Sequence, residues 1–183
     1  LFDTVSVGSS VTLNNNVKYI LINELKTARG FEKVFKAIEK GRNVRIKFLK
    51  DTYLTQHDIT NEIEITKRMS EHPTSVDMYY SQQDKGTAVI VTEFLREAAW
   101  KSKTKSLDIL NAVKTMQSYN LLHRDLSSET VRFGDDKVLK IADYSWAVYT
   151  KVPLTKRVGS NSMDYWAPER LQHATYGPAS DIW

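Results

Sequence analysis

The sequence LLHRDLSSETVRFGDDKVLKIAD, residues 121–143, is the most informative stretch of the chain for its fold. It contains two short apolar runs, 130–133 and 138–141, which are typical of β-strands. A Gly-Asp-Asp turn separates the two runs, so the stretch predicts a β-hairpin. Asp125 precedes the hairpin and Asp143 follows it. Because a hairpin brings its two ends together, we expect the two carboxylates to converge on one place.

Two converging carboxylates can divide the tasks of phosphoryl transfer between them. One carboxylate can take a proton, while the other can hold a metal ion beside a phosphate. The stretch therefore predicts a phosphoryl-transfer site that uses Asp125 and Asp143.

The composition sets broad limits. A chain of 183 residues can bury a core as one domain or as one compact two-lobed unit, and its 41% hydrophobic and 26% charged residues are ordinary for a globular protein. The net charge of +4 permits an acidic or phosphorylated partner without implying nucleic acid. The absence of cysteine excludes disulfides and thiolate zinc sites. We expect no signal peptide and no membrane span, and we expect the chain to be a fragment of a longer protein.

Upstream of the hairpin, the pattern predicts five antiparallel strands with one helix inserted after the third. Residues 1–16 are expected to form a leader or linker, which has room for a strand at 4–11. The five strands are expected at 18–25, 33–38, 43–49, 77–81 and 87–92. The inserted helix is expected at 58–69, and a second helix follows the last strand at 107–119.

Two motifs of the chain resemble those of a known family. His123-Arg124-Asp125-Leu126, followed by Ala142-Asp143-Tyr144-Ser145, resembles the catalytic loop and the metal-binding motif of protein kinases. The order of five strands, one helix and a catalytic hairpin is similar to that family over residues 17–183. The stretches KIADYSWAV and MDYWAPE are most similar to the aurora group of Ser/Thr kinases.

The resemblance implies an α+β, two-lobed fold. Its N-lobe would be a five-stranded antiparallel sheet with one helix over residues 17–92, and residues 93–95 would form the hinge. Residues 96–183 would form a mainly helical partial C-lobe, truncated at its C-terminal end. The resemblance also implies an intracellular location, cytoplasmic or nuclear.

The resemblance assigns the catalytic roles to four residues. Lys47 would hold the α- and β-phosphates of ATP, and Glu62 would pair with Lys47. Glu64 is a weaker candidate for that pair, since it points about 200° away around the helix. Asp125 would be the base for the substrate hydroxyl, and Asp143 would bind Mg²⁺.

Further residues would contact the cofactor. Thr92 fits the gatekeeper position, and Glu93 and Leu95 fit the hinge whose backbone binds adenine. The three glycine positions of the phosphate loop fall on Thr27, Arg29 and Glu32, so the loop lacks its glycines, and Arg29 is the cation there that can partly compensate.

Other departures also bear on activity. Glu32 would place a negative charge beside the phosphates, and Arg45 replaces a small residue that covers adenine. Thr130 stands where the family has the asparagine that binds the second metal ion. Ser127 replaces a lysine that steadies the transferring phosphate, and Ser145 replaces a glycine.

Three functions are consistent with these residues. The first is a Ser/Thr protein kinase that uses ATP and Mg²⁺ on a protein substrate, with impaired catalysis. The second is a pseudokinase that acts as a binding or allosteric module for a protein partner. The third, a kinase of small molecules, is less favoured because residues 159–169 resemble a platform for a protein substrate. None of the three implies nucleic acid or a membrane.

Overall fold

A computed structural model describes residues 2–25, 27, 32–52, 54–84, 86–97, 104–135, 137–151, 153–154 and 163–183. The chain divides into two compact units. The first comprises Leu1–Lys67 and Asp77–Phe94, and the second comprises Arg68–Val76 and Leu95–Trp183.

The first unit is built on a six-stranded antiparallel sheet. The strands lie in the order β1-β2-β3-β4-β6-β5, and helix α1 (Gln56–Met69) connects β4 to β5. The strands are β1 (Ser10–Thr12), β2 (Lys18–Leu25), β3 (Glu32–Glu39), β4 (Arg42–Lys50), β5 (Met78–Asp84) and β6 (Thr87–Glu93), and a 3₁₀ helix (Phe2–Thr4) precedes them.

The turn between β3 and β4 explains why these two strands pair tightly. Lys40 and Gly41 both have positive φ, 47° and 83°, as a two-residue type I′ turn requires. The turn fixes the register, in which Glu39 faces Arg42 and Val34 faces Lys47.

The expectation of five strands was wrong, because the sheet has a sixth strand, β1. This strand lies within residues 1–16, where the sequence predicted a leader or linker. It begins at Ser10, near the end of the strand expected at 4–11, and Val5, Val11 and Leu13 are buried in the core beside it. A strand of three residues is too short for its alternation to stand out in the sequence.

The sheet buries side chains on both faces. Ile46 and Phe48 of β4 belong to a large cluster with Tyr19, Phe35 and other residues. Leu49 lies on the opposite face, where it packs with Ile59 of α1. Because side chains alternate along a strand, Lys47 is on the same face as Leu49 and therefore on the side of the helix.

The second unit contains the predicted hairpin. Its strands β9 (Val131–Phe133) and β10 (Leu139–Ile141) pair antiparallel, which confirms the hairpin to within a residue at each strand start. Strand β7 (Arg96–Glu97) extends this sheet, while β8 (Leu121–Leu122) pairs with β11 (Val148–Tyr149).

Helices are fewer in this unit than expected. Over the residues that the structure describes, the α-helices are α2 (Thr104–Ser118) and the single turn α3 (Pro168–Leu171). Two 3₁₀ helices follow the hairpin, at Met163–Tyr165 and Pro178–Asp181. The expectation of a mainly helical unit was therefore wrong for this part of the chain, where strands of two or three residues flank the hairpin. In the described ranges, no helix has the length and apolar character needed to cross a membrane.

Candidate active site

Lys47 is a buried cation in the first unit. Its side chain is only 2% exposed, and its Nζ lies 2.8 Å from Oε1 of Glu62 on α1. The structure thus brings together the lysine and the glutamate that the sequence paired. Glu64, the weaker candidate, is exposed.

A second carboxylate also contacts this lysine. Oε2 of Glu32 lies 3.2 Å from Nζ of Lys47, and the Glu32 side chain is only 5% exposed. Glu32 was expected to lie beside the phosphates, but its ion pair with Lys47 was not predicted. The register of β3 against β4 explains the ion pair. Glu32 is opposite Leu49 and is therefore a diagonal neighbour of Lys47 on the same face.

Thr92 and Arg45 occupy facing positions on β6 and β4. Thr92 is buried, and its hydroxyl donates to the carbonyl oxygen of Glu93 at 3.2 Å. Arg45 is half-buried and lies two residues before Lys47, so both side chains are on one face of β4.

Glu93, one of the expected hinge residues, makes two hydrogen bonds with Asp77. The Glu93 N–H donates to the carbonyl oxygen of Asp77 at 2.9 Å, and the Glu93 side chain accepts from the Asp77 N–H at 2.8 Å. Leu95 is buried, with 5% exposure. Arg29, the expected phosphate-binding cation, lies outside the described residues.

The catalytic-type loop of the second unit is fixed by a carboxylate. Asp181 accepts from the backbone N–H of His123 at 2.6 Å and from that of Arg124 at 3.0 Å. Arg124 has a φ of 67°, a conformation that is unfavourable for a residue with a long side chain. The carboxylate therefore holds the loop in a strained backbone shape just before Asp125.

Other contacts of the loop restrain it from both sides. Arg124 donates from Nε to the carbonyl oxygen of Trp146 at 2.6 Å, and Arg170 donates from Nη1 to the carbonyl oxygen of Arg124 at 2.7 Å. Asp125 is buried, with 9% exposure, and its backbone N–H donates to Nδ1 of His123 at 3.2 Å.

His123 is buried and neutral in this arrangement. Nδ1 accepts a hydrogen bond, so the ring proton is on Nε2. Burial lowers the pKa of His123, and the nearby carboxylates of Asp181, Asp125 and Asp143 oppose that shift without reversing it. The side chain is a packed structural histidine, in contact with the ring of Tyr144 at 5.5 Å between centroids.

The hairpin brings the two motif segments together. The Ala142 N–H donates to the carbonyl oxygen of Thr130 at 2.7 Å, directly before Asp143. Oδ1 of Asp143 accepts from the Ser145 N–H at 3.0 Å and also from the Ser145 hydroxyl. Ser145, which replaces the family glycine, thus binds the carboxylate expected to hold the metal ion.

Thr130 is bound to its own loop. Its hydroxyl donates to the carbonyl oxygen of Asp125 at 2.7 Å and accepts from the Ser127 N–H at 3.0 Å. The Ser127 hydroxyl accepts in turn from the Glu129 N–H at 3.2 Å. Both side chains therefore stabilise the turn, where the family carries an amide for a metal ion and a cation for a phosphate.

The side-chain oxygens of Asp143 and Thr130 fit one Mg²⁺ ion better than two. Mg²⁺ prefers carboxylate and carbonyl oxygens, and Asp143 offers a carboxylate. Thr130 offers a hydroxyl that already makes two hydrogen bonds. In the part of the chain that the structure describes, no group of three or more His, Asp or Glu side chains is placed to hold a metal ion.

The first unit contains a buried lysine–glutamate ion pair, and the second contains the loop around Asp125 with its β-hairpin. The family model for the protein kinase domain matches residues 30–183. The chain belongs to the protein kinase family.

Its relatives include several aurora kinases. An aurora kinase of Encephalitozoon cuniculi is 29% identical over 163 residues, covering 79% of this chain and 59% of that protein. An aurora kinase of Candida glabrata is 24% identical, and the alignment covers 84% of this chain and 44% of that protein. Aurora kinase B of Xenopus tropicalis is 27% identical, and the alignment covers 70% of this chain and 39% of that protein. The chain is thus a divergent member, similar to the aurora group, and these alignments span 39–59% of the relatives' lengths.

Proposed function

We propose that this chain is a Ser/Thr-type protein kinase domain that transfers the γ-phosphate of ATP to protein hydroxyls at an impaired rate. The observation that carries the proposal is the carboxylate of Asp181 on the backbone of His123 and Arg124, which fixes the loop before Asp125. In this proposal residues 17–92 act as the N-lobe, residues 93–95 as the hinge and residues 96–183 as part of the C-lobe.

The retained residues supply the main chemical roles. Asp125 accepts the proton of the substrate hydroxyl, and Glu62 orients the ammonium group of Lys47 toward the phosphates. Asp143 holds Mg²⁺, which neutralises charge on the phosphates when it is bound. Thr92, Glu93 and Leu95 border the adenine.

The impairment follows from the replaced residues. Ser127 lacks the cation that steadies the transferring phosphate, and removing one such electrostatic group costs on the order of 10²–10³ in rate. Thr130 offers a hydroxyl already used by its loop in place of an amide oxygen. The losses need not multiply, since groups of one site act together.

A pseudokinase is the second candidate. The ion pair between Glu32 and Lys47 favours it, because a carboxylate already contacts the ammonium group that phosphates would need. In that case the same fold would serve a protein partner as a binding or allosteric module, without phosphoryl transfer.

A transfer assay separates the two candidates. The protein is incubated with ATP labelled at the γ-phosphate, Mg²⁺ and a generic protein substrate, beside the variant Asp125→Ala. We expect slow transfer that is lost in the variant. Transfer that is undetectable at millimolar ATP would leave the pseudokinase, and transfer that persists in Asp125→Ala would refute the role of Asp125.

A further inference from the structure

The ion pair between Glu32 and Lys47 points to a ligand preference that the family pattern does not contain. We propose that Glu32 determines specificity at this site by acting as an internal counter-anion to Lys47, so that it lowers the affinity of the site for a nucleoside triphosphate relative to an uncharged nucleoside. The inference rests on the proposed function in one respect, namely that Lys47 marks the position of the nucleotide phosphates.

The geometry places the carboxylate of Glu32 where it satisfies the lysine. Glu32 is the first residue of β3, and its Oε2 is 3.2 Å from Nζ of Lys47. Glu62 approaches the same Nζ at 2.8 Å from helix α1. The ammonium group therefore contacts two carboxylates that are supplied by two different elements.

Because the side chains of this cluster are buried, their charges act strongly on an anionic ligand. The side chains of Glu32 and Glu62 are each 5% exposed and that of Lys47 is 2% exposed, so water screens their charges poorly. Two carboxylates face one ammonium group, so negative charge lies directly beside Lys47. A phosphate that reaches Lys47 meets this negative charge, and it must either displace Glu32 or lie beside it.

The two glutamates act in opposite ways on a phosphate ligand. Glu62 approaches Lys47 from the helix and orients the ammonium group, as the resemblance implies. Glu32 approaches from the start of β3, at the last of the three glycine positions of the phosphate loop. A carboxylate at that position competes with an anionic ligand, whereas an uncharged nucleoside does not require the lysine.

The test compares ligands that differ in charge. Binding of adenosine, of ATP with Mg²⁺ and of inorganic tripolyphosphate is measured by calorimetry for the native protein and for Glu32→Gln. The amide keeps the shape of the side chain and removes its charge. The matched control is Glu39→Gln, which makes the same change on the same strand, where the carboxylate pairs with Arg42.

We expect Glu32→Gln to tighten ATP binding by about tenfold or more and to change adenosine binding by less than about threefold. Tripolyphosphate should also bind more tightly to Glu32→Gln, while Glu39→Gln should leave all three affinities unchanged. An unchanged ratio of ATP to adenosine affinity in Glu32→Gln overturns the proposal, as does an equal gain in Glu39→Gln.

The same data keep this inference separate from the proposed function. If no variant binds adenosine or ATP but Glu32→Gln gains tripolyphosphate, the effect of Glu32 on anions stands and the nucleotide site fails. If ATP binds equally to both proteins and is turned over, the kinase proposal stands and the role of Glu32 fails.

Discussion

The carboxylate of Asp181 accepts a 3.0 Å hydrogen bond from the backbone N–H of Arg124, a residue whose φ is +67°. The same carboxylate accepts from the N–H of His123 at 2.6 Å. Two charge-assisted hydrogen bonds therefore offset the cost of a strained backbone immediately before the proposed base.

Removing this carboxylate should destabilise the protein and release the loop. We expect Asp181→Ala to lower the free energy of unfolding by about 2–3 kcal/mol, because two partly buried N–H groups lose their acceptor. Asp181→Asn keeps one acceptor oxygen and should cost about half as much. Denaturant unfolding measures both values, and equal stability of the alanine variant and the native protein would show that Asp181 does not hold the loop.

The hydroxyl of Tyr144 should contribute to stability through Ser75. The two hydroxyl oxygens are 2.7 Å apart, both residues are buried, and burial raises the pKa of Tyr144. Tyr144→Phe leaves the Ser75 hydroxyl without this partner, so we expect a loss of about 1–2 kcal/mol in thermal or denaturant unfolding.

An exposed tyrosine provides the control for that variant. Tyr165 donates to the Ser128 hydroxyl at 3.2 Å at the surface. Tyr165→Phe should change stability by less than about 0.5 kcal/mol, because water can replace the contact. Similar losses in the two variants would argue against a special role for the buried pair.

The stability of the protein should depend on pH through His123. Burial lowers the pKa of His123 in the folded state below its ordinary value of 6.5, so the unfolded state binds a proton more readily. The stability contributed by the neutral ring is present above about pH 6.5 and is lost as the pH falls toward the folded-state pKa. Unfolding measured from pH 8 down to pH 5 should show this decline.

A histidine variant separates that effect from other titrations. His123→Phe should be less stable at pH 8, because the Asp125 N–H loses its acceptor, but its stability should fall less between pH 6.5 and 5. His57→Gln, which removes an exposed histidine on α1, should keep the native decline. A decline that is unchanged in His123→Phe would place its cause elsewhere.

Restoring the missing cation should raise the transfer rate. Ser127→Lys places an ammonium group where the family has one, and we expect a gain of about 10- to 100-fold in kcat, within the range that such groups contribute. Ser128→Lys, one residue further on, makes the same change of charge and should give no gain. Equal gains in the two variants would point to a general charge effect.

The sequence predicted the elements that repeat a strong pattern and missed those that depend on pairing. The strand at 18–25 matches β2, and the hairpin follows from two apolar runs around a Gly-Asp-Asp turn. Strand β1 has only three residues, and its place in the sheet comes from its pairing with β2. Spacing alone did not distinguish it from a linker.

The candidate site shows the same division. The contact between Lys47 and Glu62 was predictable, because each residue lies in a motif with a known partner. The contact of Glu32 with Lys47 was not, because it depends on the register of β3 against β4. The hydrogen bonds of Thr130 were not predictable either, because a sequence does not show whether a hydroxyl binds a metal ion or the backbone of its own loop.

The proposed function rests on the claim that the catalytic base is retained while the handling of phosphate is impaired. The most direct measurement is kcat for γ-phosphate transfer by the native protein, by Glu32→Gln/Ser127→Lys and by that double variant with Asp125→Ala added. We predict slow transfer by the native protein, a gain of about 10²-fold in the double variant and loss of the gain when Asp125 is removed. A native rate already within about 1–100 s⁻¹, or a double variant no faster than the native protein, would contradict the claim.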